Sequence, residues 1–355
     1  MKLLITGVCG FAGSRLAEAL LSRMAGLTVF GIDNLMRPGS EMNRPRMRPM
    51  GVSFMHGDIR SASDVALLPK ADWVIDAAAN PSVLAGVEAG GSSRQLLEHN
   101  LGSLMHVLEY CKRHQAGLIL LSSSRVYSIS ALNALPLRDN GEAFELDDSR
   151  VMPAGVTANG LGPEFSTQAP VSLYGSTKLA GEILALEYGE AFGFPVWINR
   201  CGVLAGAGQF GTPEQGIFAF WVNAHLRRRP LRFMGFDGRG KQVRDALSPL
   251  DLAALLHGQM QSGRPGGRRI YTVGGGVKNA MSLCQLHAWC DARFQSHAPG
   301  SDLSPRRYDI PWTIMDSSHA GQDFGWRATE SLDEILGQIA EHAQGHPDWL
   351  EQSGA

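Results

Sequence analysis

Residues 2–13 read K-L-L-I-T-G-V-C-G-F-A-G. Lys2–Thr6 is a short, mainly apolar run of β character. Gly7, Gly10 and Gly13 follow at G-x-x-G-x-x-G spacing, with Phe11 and Ala12 inside the same stretch. A helical pattern then runs from Ser14 to Arg23. A glycine pattern by itself marks only a turn. Between a strand and a helix it does more: it lets backbone approach a pyrophosphate, and it aims the N–H groups of the helix N-terminus at that phosphate. The next strand candidate, Thr28–Ile32, leads into Asp33, then Asn34. A carboxylate at that point accepts hydrogen bonds from both ribose hydroxyls and repels a 2′-phosphate, so the pattern predicts NAD rather than NADP.

Outward from this unit, strand-like runs and helical patterns alternate. Further strands are expected at Ser53–Met55, Trp73–Asp76, Leu118–Ser122 and Val196–Asn199, with a helix over Leu96–His114. Such alternation predicts right-handed βαβ units and a doubly wound parallel sheet, the Rossmann type of α/β fold. His56-Gly57-Asp58-Ile59 follows the third strand and is expected to meet the adenine. Ala77, Ala78 and Ala79 follow the fourth, where small side chains leave room for a cofactor or simply pack. Residues 129–170 read as a long, turn-rich insertion of the kind that is often functional. Residues 1–200 are therefore expected to form the NAD-binding domain. Residues 201–355 form a smaller, partly interleaved substrate-binding domain, with some segments returning to the core. In that second half a strand is expected at Arg269–Val273, with helices near Leu283–Arg293 and Leu332–His342. No tandem repeat or low-complexity tract is visible.

The 355 residues are 44% hydrophobic and 19% charged, with a net charge of −2. That composition is globular and lacks the basic stripe that nucleic acid requires. The five cysteines are scattered and include no C-x-x-C pair, so neither a disulfide framework nor a metal site is expected, and a reducing, cytoplasmic setting fits. The apolar run before Thr6 is too short for a signal peptide, and no window is long enough for a membrane helix.

Chemistry enters at Ser172–Glu182, S-L-Y-G-S-T-K-L-A-G-E. Tyr174 and Lys178 stand one helical turn apart and share a face. Free tyrosine titrates near 10, so a phenolate base at neutral pH needs a nearby positive charge, which Lys178 and an oxidised nicotinamide would supply. Tyr and Lys at this spacing also occur by chance on solvated helices. The dinucleotide pattern is what gives the pair meaning.

Taken together, Gly7/Gly10/Gly13, Asp33, Asp58-Ile59, Ala78-Ala79, Asn100, Ser123, Tyr174 and Lys178 resemble the extended short-chain dehydrogenases/reductases, over essentially the whole chain. Within that family the sequence is similar to the NAD-dependent nucleotide-sugar epimerases and dehydratases. Arg200–Gly216 and Lys241–Leu252 are most similar to CDP-tyvelose (CDP-paratose) 2-epimerases. The resemblance implies that Tyr174 is the acid/base, that Lys178 favours its phenolate and holds nicotinamide ribose, and that Ser123 hydrogen-bonds the reacting hydroxyl. Asn100, Ser122 and Cys201 are further candidates on the cofactor side. Pro81, Ser82, Ser124, Arg125 and Gln209 are candidates on the substrate side. Arg244 and Arg306 are similar to arginines that grip a diphosphate, the alternative being a surface ion pair for each. Arg227–Arg229 reads as a solvated helix end.

Three departures from the family pattern sharpen the reaction. Sugar 4,6-dehydratases of the family carry an Asp-Glu pair where this chain has Ser124-Arg125, which disfavours dehydration. Asp76 and Ser248 each stand where the family usually has histidine. The implied activity is epimerisation of a nucleotide-diphosphate hexose through a transient keto-sugar, at carbon 2 of a CDP-sugar. A 4-epimerase, a related nucleotide-sugar oxidoreductase, and a catalytically silent dinucleotide sensor remain as alternatives. The helices beginning near Asn100 and Tyr174 form a dimer interface in many relatives. A homodimer is accordingly expected, with intramolecular burial of those faces as the equal alternative.

Overall fold

The computed structural model describes residues 1–88, 91–263 and 266–355. Seven strands form one parallel sheet: β1 (Lys2–Thr6), β2 (Thr28–Asp33), β3 (Val52–His56), β4 (Trp73–Asp76), β5 (Gly117–Ser123), β6 (Val196–Cys201) and β7 (Ile270–Val273). Their order is β7-β6-β5-β4-β1-β2-β3. The chain therefore winds outward in both directions from the β1–β4 pair, in register with Leu3 opposite Trp73 and Thr6 opposite Asp76. This reversal opens a crevice at the carboxyl ends of the strands, where open α/β sheets bind ligands. The expected strands all form, and β7 is the segment from the second half of the chain that joins the sheet.

The strands are apolar on both faces because helices cover both. On one face lie α1 (Phe11–Arg23) and, from the second half of the chain, Pro249–Ser262; Leu16, Leu20, Leu252 and Leu256 pack there. On the other lie α2 (Ser103–His114) and α3 (Ser172–Phe192), with Leu104, Val107, Leu108 and Ala185 inward. Full burial of one such leucine contributes about 1.5–3 kcal/mol. The start of α1 shows why the opening glycines are required. A Cβ on Gly13 would stand 2.2 Å from the Gly7 carbonyl oxygen, so any larger residue would lever the helix off its strand.

A second core lies beyond the sheet, where helices Ile217–Leu226, Leu283–Arg293 and Leu332–Gly345 bring together Trp221, Leu286, Ile335 and Ile339. Residues 129–170 are more ordered than a loop. They hold a helical turn, Ile129–Asn133, and two short hairpins, and Leu132, Leu161 and Phe165 pack with Trp312 and Ile314 in a third core. The helix expected over Leu96–His114 is interrupted by a π turn at Glu98–Gly102, where Asn100 turns to tertiary partners. Arg227 is not merely solvated, since its guanidinium donates to the Ala343 carbonyl, while Arg229 pairs with Glu351. Among the described residues no helix is long and apolar enough to cross a membrane.

One ion pair ties α3 into the sheet. Arg200 on β6 donates to both oxygens of Glu182, with Nη2 2.7 Å from Oε2, and the side chains are only 6% and 2% exposed. Ser122 on β5 donates to the same carboxylate, and Arg200 also reaches the Pro163 carbonyl. Burial alone would lower the Arg200 guanidinium, but Glu182 outweighs it and raises it. Glu182→Gln leaves a buried unpaired cation, so urea unfolding is expected to report a loss of about 3–5 kcal/mol; a loss below about 1 kcal/mol contradicts this reading.

Candidate active site

A cleft of about 610 Å³ runs along the carboxyl ends of the strands. Its wall gathers residues scattered through the first 216 positions. At one end are Gly7, Gly10, Phe11, Ala12 and Gly13, with Asp33, Asn34, Asp58 and Ile59 beyond them. At the other are Ala77, Ala78, Ala79, Pro81, Ser122, Ser123, Arg125, Tyr174, Lys178, Cys201 and Gln209. No side chain caps the N-terminus of α1 at Gly10, which leaves its first N–H groups for a ligand. Asp33 accepts from the backbone N–H of Cys9 at 2.9 Å and of Leu35 at 2.8 Å. Burial pushes its carboxyl up and those N–H groups oppose the shift. An uncapped helix end, a glycine turn and a fixed carboxylate suit the phosphates and ribose of a dinucleotide.

The reactive end depends on close packing between α3 and β5. A Cβ on Gly175 would stand 2.2 Å from the Arg125 carbonyl oxygen, so this glycine lets the turn after Ser123 sit directly against the start of α3. Tyr174 and Lys178 are both buried, and Lys178 Nζ donates to the Leu121 carbonyl at 3.1 Å. Ser123 Oγ accepts from the Arg125 N–H at 3.1 Å and caps the short 3₁₀ turn Ser124–Val126. A hydroxyl, a phenol and an ammonium therefore line one wall.

Asp76 now has a role. Thr6 donates its hydroxyl to Asp76 and accepts from the N–H groups of Ala77 and Ala78, both at 3.1 Å. The buried carboxylate thus orients the hydroxyl that holds the alanine loop at the cleft. Burial raises the Asp76 carboxyl, and the charge of Lys178 opposes this. Ser248 caps the helix Pro249–Ser262 by accepting from the Leu250 N–H at 3.1 Å.

Five expected site residues stand off the wall of the cleft. Asn100 spends its amide on Asn80 and on Thr177 Oγ1, so it fixes the loop before Pro81 to α3 rather than meeting a ligand. Ser82 and Ser124 are backbone-turn residues: the Ser82 hydroxyl accepts from the Leu84 N–H and the Ser124 carbonyl accepts from the Tyr127 N–H. Arg244 donates to the carbonyls of Val243 and Ile310, and Arg306 to that of Pro213. Among the described residues, neither arginine nor Arg125 is ion-paired with a carboxylate, which removes the surface-pair alternative. Burial pushes Arg244 down to about 9, with Arg125 and Arg306 adding repulsion and Asp309 opposing. Arg125 is lowered by burial in the same surroundings, again with Asp309 opposing and Arg306 adding to it. Arg125 and Arg244 thus feel both the carboxylate of Asp309 and the charge of Arg306 beside the cleft.

The wall also contains residues that sequence reasoning missed, among them Arg37, Arg60, Glu214 and Gln215. Arg60 is bound to Asp58, its Nη2 2.6 Å from Oδ2, and holds that carboxyl well below its usual range. Its adjacency to the Asp58-Ile59 pair was the available signal. For Gln215 the only signal was its place in the T-P-E-Q-G stretch.

Outside the cleft, His225, His287 and Asp291 converge at metal-like spacing. Trp221 donates its indole N–H to His287 Nδ1 at 3.3 Å, which places the His287 proton on Nε2, facing Asp291. A protonated nitrogen cannot ligate a metal, so the cluster is a hydrogen-bonded brace between two helices.

The fold and cleft define an NAD-dependent enzyme of nucleotide-sugar chemistry, and comparison with known proteins makes the assignment. The model of the NAD dependent epimerase/dehydratase family matches residues 3–274. The CDP-paratose 2-epimerase of Salmonella typhi is 30% identical over 297 residues, 81% of this chain and 82% of that protein. An uncharacterized UDP-glucose epimerase of Bacillus subtilis (strain 168) is 30% identical over 251 residues, 69% of this chain and 68% of that protein. The structure of UDP-glucuronic acid 4-epimerase from Bacillus cereus, in complex with UDP-glucuronic acid and NAD, has the same fold, with a TM-score of 0.76 and 24% identity over 97% of this chain and 99% of that one. This chain belongs to the NAD dependent epimerase/dehydratase family, and NAD is its cofactor.

The C-terminal segment buttresses the cleft. Trp349 donates to the Gln209 carbonyl at 2.9 Å, and His342 packs edge-on against Trp349. Burial pushes His342 down to about 4, with the stacked His346 adding to the shift. Its folded-state value lies below the ordinary 6.5, so protonation favours the unfolded chain. The stabilising effect is complete above pH 6.5 and is lost as pH falls toward 4. Allowing for the side chain's partial exposure, wild type should lose about 1–2 kcal/mol more than His342→Gln over that window. Thermal melts of both proteins from pH 7 to pH 4.5 check this; parallel curves contradict it.

Proposed function

We propose that the protein is an epimerase that inverts carbon 2 of a CDP-hexose. The observation that carries the reading is the wall shared by Ser123, Tyr174 and Lys178, beside a turn that has Ser124-Arg125 in place of a carboxyl pair. The likeness to a CDP-paratose 2-epimerase supports carbon 2 and the cytosine nucleotide.

NAD, when bound, supplies the acceptor and donor for the sugar's hydride. Tyr174 removes the proton from the reacting hydroxyl and later returns one. Lys178, on the same helix face, favours the phenolate and is steadied by the Leu121 carbonyl. Ser123 hydrogen-bonds the same hydroxyl. Arg125, Arg244 and Arg306 meet the diphosphate, whose two negative charges match the excess of three guanidinium groups over Asp309. Dehydration would need a carboxyl acid beside the sugar, and Arg125 cannot serve as one.

The likeness to UDP-sugar epimerases keeps carbon 4 as a second reading, and one experiment separates the two. NAD-loaded protein incubated with CDP- and UDP-hexoses in deuterated buffer, followed by proton NMR of the ring, should show inversion at carbon 2 of a CDP-hexose only. Inversion at carbon 4, or stoichiometric NADH release, replaces the proposal. Tyr174→Phe should slow inversion by roughly 100- to 10,000-fold.

We also propose a homodimer through α2 and α3, which lie on the same sheet face and leave Met105 and Ile183 half exposed, at 51% and 57%. Two apolar side chains on neighbouring helices suit a second copy of the same surface. Met105→Asp with Ile183→Asp should convert the species seen by light scattering from two chains to one. A wild-type monomer at micromolar concentration refutes this.

A further inference from the structure

The segment 204–216 contributes to the wall of the cleft and carries two glutamines with unmet hydrogen-bonding groups. Gln209 is buried, its Nε2 donates to the Leu204 carbonyl, and its Oε1 is buried without a partner. In Gln215 both amide atoms, Oε1 and Nε2, are buried without a partner. Both residues line the cleft. They are neighbours: a Cβ on Gly216 would lie 3.3 Å from Gln209 Cδ. Three orphaned polar atoms in one pocket are costly unless a ligand meets them, since each lost partner leaves a desolvated group.

The orphans restrict the chemistry of that ligand. Two are carbonyl oxygens, which need donors and would repel a phosphate. The third is a donor that needs an acceptor. Neutral hydroxyls satisfy both kinds. Position narrows the choice further. The Pro213 carbonyl, two residues before Gln215, accepts from Arg306 Nη2 at 3.3 Å, so the hairpin abuts the guanidinium corner. The same cleft carries Tyr174 and Ser123. A group that begins at the diphosphate and reaches Tyr174 passes these amides, and on the reading proposed above that group is the sugar.

We propose that Gln209 and Gln215 form a neutral clamp on the hydroxyls of the substrate's sugar and so decide which hexose is accepted. This inference rests on the nucleotide-sugar reading. The backbone of the clamp is set from elsewhere: Trp349 holds the Gln209 carbonyl, and paired backbone bonds between Thr212 and Gln215 close the hairpin.

Calorimetry on the NAD-loaded protein tests it, with CDP, UDP, CDP-glucose and UDP-glucose as probes. Gln209→Leu and Gln215→Leu should each bind the preferred nucleotide-hexose roughly three- to tenfold more weakly while binding the bare nucleotide diphosphate within about twofold of wild type. Equal losses for both probes place the amides on the nucleotide, loss of bound NAD places them on the nicotinamide, and unchanged binding frees them of any role; each overturns the clamp. Wild type should also bind at least one deoxy-hexose nucleotide roughly three- to tenfold more weakly than its parent, a measurement that needs no variant. Equal binding of the whole deoxy series overturns the clamp alone. Failure of wild type to bind any nucleotide-hexose overturns the proposed function and the clamp with it.

Discussion

The contact between Glu182 and Arg200 sets the position of everything that follows in the cleft. Tyr174, Lys178 and Glu182 are spaced four residues apart, so they lie along one face of α3. Glu182 is anchored to β6 through Arg200 and to β5 through Ser122. One helical turn up, Lys178 meets the carbonyl of Leu121 on β5. A further turn brings Tyr174 to the end of the strand, beside Ser123. The helix is therefore registered against the strand that carries its partner hydroxyl, and Gly175 permits the final approach. A buried ion pair seldom adds net stability over an apolar packing. Here its contribution is registry, because carboxylate and guanidinium meet in only one alignment of helix and sheet.

The charges divide into two kinds. Asp58 with Arg60 and Glu182 with Arg200 are paired within the fold. Arg125, Arg244 and Arg306 are not; all three lean on backbone carbonyls, and the first two share the field of Asp309. Burial and mutual repulsion push Arg244 down, the signature of cations gathered where folding alone gives no reason for them. An anion entering that corner relieves both costs together. On the function proposed above, the free enzyme keeps unfavourable electrostatics where a diphosphate would discharge it.

Local spacing made much of this legible. The strand-glycine-helix order, Asp33 and the Tyr174–Lys178 pair are all set by residues near in sequence, and the structure brings them to one cleft. What the sequence hid are partnerships made across the fold. Asn100 carries a polar side chain that reads as ligand-facing, yet tertiary contacts with Asn80 and Thr177 consume it. Asp76 stood out only as a departure from the usual family histidine, and it is the partner of Thr6. Residues 129–170 read as loop because each element within them is only a few residues long, and their apolar side chains find a core against residues distant in sequence, such as Val243, Trp312 and Ile314. Beyond its place in the T-P-E-Q-G stretch, Gln215 gave no sign of its role, since an orphaned amide is visible only after the surrounding wall is built.

These features bear jointly on how one cleft can present both faces of a sugar to one cofactor. Inversion requires the keto-sugar to turn over while its nucleotide stays bound. A charged grip on the sugar itself would oppose that turn, because breaking a buried charged contact costs several kcal/mol. The arrangement proposed here separates the two tasks. The guanidinium corner holds the diphosphate as a pivot. Gln209 and Gln215 meet the sugar with neutral hydrogen bonds, each worth about 1 kcal/mol net and exchangeable between hydroxyls. An amide offers a donor and an acceptor, so it can serve either face of the ring. Ser123 and Tyr174, fixed by α3 and β5, do not move with the sugar. On this account the carbon that inverts is the one the pivot brings within reach of Tyr174, and the length of chain between the diphosphate and that carbon, rather than any group specific to it, sets the position of attack.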